Sequence, residues 1–275
     1  MPTTPPPPPP IPAATTIAQV VDALEIVIDW SIKAPSRLGY FAALYKRVTI
    51  AVGIAVAEGK FEDGARLERL DAAFANRYFD ALNGHFHPDR FPRPTHSWQV
   101  TFDAASRPEP ILAQHMFAGV NAHIGLDLGI AAEAICPGPK LTTLHEDFNR
   151  INAVLASQVT GVAEDINELS PVLAALYATL KNEQIHLINE TVQGYRDSAW
   201  RFATILAATP GFADPAAIVV RDLQIAQQGA LYYKPPLPLS AFVSAIAAQE
   251  SRDIASNLQV LNEIAATPAP IRTIL

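Results

Sequence analysis

One cysteine, Cys136, stands among 275 residues. A lone thiol excludes an internal disulfide framework and every zinc site built on several thiolates. Cations are scarce as well: 20 Lys+Arg face 27 Asp+Glu, a formal net charge of -7. With no cationic surplus to replace counterions, the chain is not expected to hold nucleic acid through its phosphates. Apolar runs such as Ile50 to Ala57 fall short of the roughly 20 residues of a membrane span, so no membrane partner is expected. The start has no positively charged flank followed by an apolar stretch, so no secretory peptide is expected and the expected location is cytoplasmic. Missing too are a Gly-rich phosphate loop, a nucleophile elbow, a His-Glu-x-x-His motif and any fixed-period repeat.

What is present is helical periodicity. Pro5 to Pro10 form an unbroken run with no backbone donors, and residues 1–15 are expected to be a disordered, Pro-rich tail. Residues 16–275 are expected to make a single all-α globular domain of about eight helices. Thr16 precedes Ile17, Val20, Val21, Leu24 and Ile28, the spacing of an amphipathic helix with a Thr cap. A second helix runs from Leu38 to Glu58 and ends at Gly59. A third starts near Asp63 and is expected to stop at Asn83-Gly84. Residues 84–110, with five prolines and several aromatics, read as a long loop that walls a site, with a short extended piece at Trp98 to Phe102. Residues 111–135 are apolar on every face, the mark of a buried central helix. Further helices fit 144–168, 171–208, 214–230 and 239–266.

The central helix carries the candidate chemistry. His115, Gly119, His123 and Asp127 recur every four residues and form one slanting stripe. Gly119 leaves a dent where another group can approach the backbone. His115 and Asp127 are about 18 Å apart along the axis and cannot share an ion. His123 and Asp127, one turn apart, suit a hydrogen-bonded structural pair, an acid/base or substrate-orienting site, or two ligands of a metal. Asn121 points about 200° away from His123 and is expected to pin a neighbouring element. Asp71 shares an apolar face with Leu67, Leu70, Phe74 and Tyr78, so its carboxylate needs a partner or a raised pKa. Arg77, on another face, is not that partner. Glu183-Gln-Ile-His186 has the Glu-x-x-His spacing of di-iron bundles but lacks the second copy they need. His85-x-His87 reads as loop surface.

Several stretches together resemble a known family. They are Phe41-Ala-Ala-Leu-Tyr45, Leu70-Asp71-Ala-Ala-Phe74-Ala-Asn-Arg77-Tyr78 and, most specific, Asn121-Ala-His123-Ile-Gly-Leu-Asp127-Leu128. With Phe148-Asn-Arg-Ile-Asn152 and Ala199-Trp200 they resemble DUF5995, a domain-of-unknown-function family. The resemblance implies that Asp71, Arg77, Tyr78, Asn121, His123 and Asp127 belong to the family pattern. His115 stands where a small apolar residue is expected, and Gly125 where an Asn is expected. The family brings no named activity.

Three functions fit. The first is a cofactor-independent enzyme of specialised metabolism, a cyclase, isomerase or pericyclase such as a Diels-Alderase, acting on a hydrophobic small molecule. His123, Asp127 and Asp71 would be its catalytic residues, and Tyr45, Phe74, Tyr78, His115, Phe117, Asn121 and Trp200 would bind substrate. The second is a metal-dependent hydrolase with His123, Asp127 and Asp71 as ligands. The third is a non-catalytic binding or scaffold protein. The first is preferred, with no metal or other cofactor expected.

Overall fold

The structure, a computed structural model, describes residues 6–169, 191–211 and 213–270, with backbone alone over 159–169. The described residues are helical throughout, with no strand among them. The helices are α1 (Ile17–Lys33), α2 (Leu38–Ala57), α3 (Gly64–Phe86), α4 (His96–Ala105), α5 (Leu112–Ala122), α6 (Leu128–Ile135) and α7 (His145–Leu169). α8 covers the helical residues 191–208, and α9 (Asp214–Tyr233), α10 (Leu239–Ala247) and α11 (Ile254–Ala265) follow. A π-turn, His123–Asp127, joins α5 to α6, so the central helix is continuous, and a 3₁₀ segment, Gly138–Leu144, leads into α7.

Local chemistry explains some helix ends. The Thr16 side chain accepts from the Gln19 N–H and that of Asp63 from the Arg66 N–H, each satisfying an orphan donor of a first turn. Gly59, in the left-handed region at φ 68°, follows α2 as the sequence suggested. α2 and the central helix make the interior: α2 packs on α1, α11, α5, α7 and α3, while α4 and α9 cover the other side of α5. By length and composition α2 could cross a membrane, but most of it is buried inside the protein.

Four expectations are corrected. Residues 96–105 form a helix in place of the extended piece at Trp98 to Phe102. Its first N–H groups are capped from far along the chain: the Asp222 carboxylate on α9 accepts from the His96 and Ser97 N–H groups at 2.7 and 2.9 Å. α3 runs past Asn83-Gly84 to Phe86, because this pair docks other chain segments instead of breaking the helix. A Cβ on Gly84 would lie 1.9 Å from the Pro92 carbonyl oxygen, so glycine lets that loop lie against α3. The 239–266 helix is two, α10 and α11; between them Glu250 accepts the Leu112 N–H at 2.9 Å, and Asp253 caps α11. These changes raise the helix number above eight. The region 171–208 lies outside the described residues up to 190, as does the Glu183–His186 motif.

The fourth correction concerns the tail. Residues 6–15 are docked, with Ile11 and Ala14 buried. Prolines offer only carbonyls, so donors come from the domain: Trp30 Nε1 donates to the Pro6 carbonyl at 2.8 Å and His87 Nε2 to that of Pro8 at 2.9 Å. Where donors return, two asparagines of α3 pair both ways with the backbone, Asn83 with Ile11 and Asn76 with Ala14.

Candidate functional site

A cavity of about 160 Å³ lies where two hydrophobic core clusters meet, with walls from both. α2 supplies Tyr45, α3 supplies Asp71 and Phe74, the central helix supplies Phe117 and His123, and α8 supplies Arg196. The rest of the lining is almost wholly aliphatic or aromatic, with Gln158 of α7 the other polar member.

His123 stands at the start of the π-turn, where the Leu128 N–H reaches back to the His123 carbonyl. Wider turns of this kind leave carbonyls without their α-helical donor, and Arg221 donates to the Gly125 carbonyl at 2.9 Å. Gly119, one turn earlier, admits the Phe41 ring: a Cβ there would be 2.4 Å from Phe41 Cγ. Phe41 in turn meets His123 edge-on, with centroids 5.6 Å apart at 78°. The dent read from the stripe is thus filled by an aromatic ring of α2.

Behind His123, outside the cavity lining, sits Asp127, fully buried. His123 Nδ1 faces Asp127 Oδ2 at 3.3 Å, Trp98 Nε1 donates to the same oxygen at 2.8 Å, and Arg77 Nε donates to Oδ1 at 2.9 Å. Burial would raise the Asp127 carboxyl, but Arg77, His123 and Trp98 hold it below the usual carboxylate range. An ionised carboxylate only accepts, so Nδ1 carries the imidazole proton and Nε2 is a free lone pair. Burial pushes the His123 pKa down against the pull of Asp127, which keeps the ring neutral. Nε2 has no hydrogen-bond partner.

Asp71 borders the same cavity, and its Oδ2 is closed off without a partner. Burial, helped by the Glu68 charge, pushes its pKa up to about 7. The neighbouring Tyr45 phenol is raised well above its ordinary value by burial and by the Asp71 and Asp127 charges, so it remains a neutral O–H.

The chain belongs to the DUF5995 family. The family model, described as a family of unknown function, matches residues 17–235, which hold every residue of the cavity named above. No curated protein and no solved structure matches the chain.

Of the candidate residues in this DUF5995 chain, His123, Asp71, Tyr45, Phe74 and Phe117 line the cavity, and Asp127 stands behind His123. Four are corrected. Asn121 turns to α9, donating to the Ile225 carbonyl at 2.9 Å: it pins a neighbouring element as its helix face suggested, and only the substrate-binding role is withdrawn. Trp200 packs on His145 and Phe148 instead of the cavity. Tyr78 and His115 border a second hollow of about 10 Å³, on the far side of Phe41. There burial and the Arg37 and Arg107 charges drive His115 down to about 3, so it stays neutral. Asp71 and His123 share the cavity without pairing directly; the His123 partner is Asp127. His85 sits in the last turn of α3 and His87 is tied to the tail.

Sequence reasoning assigned no role at the site to three groups, although the family pattern includes Arg77. Arg77 and Trp98 fix Asp127, and Arg196 enters the cavity wall. Among the described residues no group of three or more His, Cys, Asp or Glu side chains could hold a metal ion. The Asp127 oxygens are spent on three N–H groups, which does not fit its proposed role as a metal ligand.

Proposed function

We propose that this DUF5995 protein is a cyclase or isomerase whose own side chains move protons on a hydrophobic small molecule. The observation that carries this reading is the pairing, on one apolar cavity, of an oriented neutral imidazole with a carboxyl whose pKa is about 7. Two titratable groups pushed in opposite directions by their surroundings are what acid/base chemistry near neutral pH requires.

In this scheme His123 Nε2 takes a proton from a substrate carbon or hydroxyl. The imidazolium that forms is stabilised by the Asp127 carboxylate, itself held by Arg77 and Trp98. Asp71, protonated below about pH 7, delivers a proton to a second substrate atom. The substrate keeps its composition, and solvent then removes the His123 proton and reprotonates Asp71. The apolar walls exclude competing water and fix the folded shape of the substrate, which matters as much for a cyclisation as the proton transfers do.

The test is turnover in deuterated water. Wild-type protein is incubated with the ethyl-acetate-soluble metabolites of its source cells, and products are read by mass spectrometry. The reading expects at least one metabolite to be rearranged or to gain deuterium with wild type and not with His123→Asn. Metabolites that bind and are recovered unchanged and unlabelled would make the protein a carrier.

A further inference from the structure

Arg196 is buried, at 3% exposure, and lies on the cavity wall from α8, one turn beyond Val192. Its guanidinium is held by neutral groups. Nε donates to Asn152 Oδ1, Nη2 donates to the Phe148 carbonyl, and the Phe148 ring lies 4.3 Å beneath it. Among the described residues no carboxylate comes within ion-pair distance of it, and Nη1 has no acceptor. A charge taken out of water with neutral partners alone is unfavourable unless an opposite charge completes the site. Among the described residues the acid acting on it is Asp197, its chain neighbour, which does not bond to it. Burial accordingly lowers the Arg196 pKa to about 9.

Nothing in the proton-transfer scheme uses this cation. It stands apart from the acid/base pair: the charge acting on Asp71 comes from Glu68, and those acting on His123 from Asp127 and Arg77. Gln158, the other polar group on that side, is consumed by Arg47 and by both backbone groups of Ala269. Among the described residues that line the cavity, Arg196 is thus the one cation, and its outer N–H groups are unspent.

We propose that the ligand of this cavity is a hydrophobic carboxylic acid, its carboxylate bound by Arg196 and its apolar body extended towards His123 and Asp71. The inference rests on the reading of the cavity as a substrate site. A planar guanidinium anchored through Nε and one Nη keeps its outer N–H groups free, and a carboxylate matches that edge better than a hydroxyl or a ketone does. Fixing the carboxylate would also set which carbon of the chain meets Nε2.

The experiment compares decanoate, methyl decanoate and decanol by isothermal titration calorimetry on the full wild-type chain at pH 8. Decanoate is expected to bind at least about tenfold more tightly than the ester or the alcohol, the effect of charge-assisted hydrogen bonds in a dry site. Arg196→Gln, checked for an intact melting transition, should remove that preference while the ester binds as before. His123→Asn should keep it. Equal or tighter binding of the ester by wild type would overturn the proposal even if Arg196→Gln fails to fold. The two readings separate: a carboxylate preference without deuterium transfer keeps this inference and removes the enzyme, and transfer without the preference does the reverse.

Discussion

Phe74 lies flat against His123, with ring centroids 3.5 Å apart and planes 8° from parallel. Tyr45 closes another side edge-on, at 4.6 Å and 71°. A ring so enclosed has one orientation, with Nδ1 on Asp127. Phe74 is one turn from Asp71 on α3, so one helix supplies both the clamp on the base and the acid. Register errors in α3 would disturb both together, which ties the chemistry of the cavity to the packing of a single helix.

Replacing Phe74 by Leu keeps the wall apolar and removes the stack. Stability should fall by about 1 kcal/mol, seen as a lower urea midpoint at unchanged slope. The His123 pKa, now held down by burial, should rise towards the ordinary imidazole value as water reaches the ring, in an NMR titration. A titration identical to wild type would show that the stack does not shield the base.

Asp71→Asn should change how stability depends on pH. The Asp71 carboxyl titrates at about 7 when folded and at about 4 when unfolded. Between those values the folded state holds a proton that the unfolded state has lost. Its contribution is therefore full below about pH 4 and declines as pH rises to about 7. The Asn variant should lack this decline, so its stability relative to wild type should improve from pH 4 to pH 7 in urea titrations. A constant difference across that window would mean that Asp71 titrates normally.

Trp98→Phe removes the N–H donor to Asp127 together with part of a fully buried ring. A lost hydrogen bond to a buried charge costs about 1.5–3 kcal/mol. The folded pKa of Asp127 is depressed, so the stability it confers is present above the unfolded carboxyl value and is lost as pH falls through the folded one. The hydrogen-bond part of the deficit should thus be largest near neutral pH and fade in acid, leaving a smaller, constant packing cost, by urea denaturation at several pH values. A deficit that persists unchanged into acid would point to packing of the ring instead of the hydrogen bond.

The parts legible in the sequence were those written within a few residues. Thr16 and Asp63 cap their helices, Gly59 ends one, and the four-residue spacing pairs His123 with Asp127. An apolar face likewise marks Phe74 and Tyr45 as interior. Periodicity says that a side chain is inside, however, and not which cavity it meets, and Tyr78 and Trp200 were misplaced on that account. The α4 helix was missed because its cap, Asp222, lies 126 residues away along the chain. Arg77 and Trp98 reach Asp127 across 50 and 29 residues, with no local signal. Arg196 carries no signal in its own stretch of sequence, and the packing of α8 on α7 is what buries it.

His123→Ala bears on the mechanism most directly. Loss of a general base typically slows a reaction by about 10²–10⁴-fold, and the variant should show this in the deuterium assay once its melting transition matches that of wild type. Prolonged dialysis of the wild type against a chelator should leave the rate unchanged, because the lone pairs of Asp127 are directed at Arg77, Trp98 and His123 and not at the cavity. His123→Ala also removes the side chain that, among the described residues, Phe74 stacks on face to face, so a folding defect is a competing cause of lost activity. Asp127→Asn resolves this: it keeps the shape of the side chain and removes the charge that stabilises the imidazolium, so the rate should fall in protein whose melting transition shows an intact fold. Rescue of a chelated protein by added metal, with the Asp127→Asn rate unaffected, would replace proton transfer with the hydrolase reading.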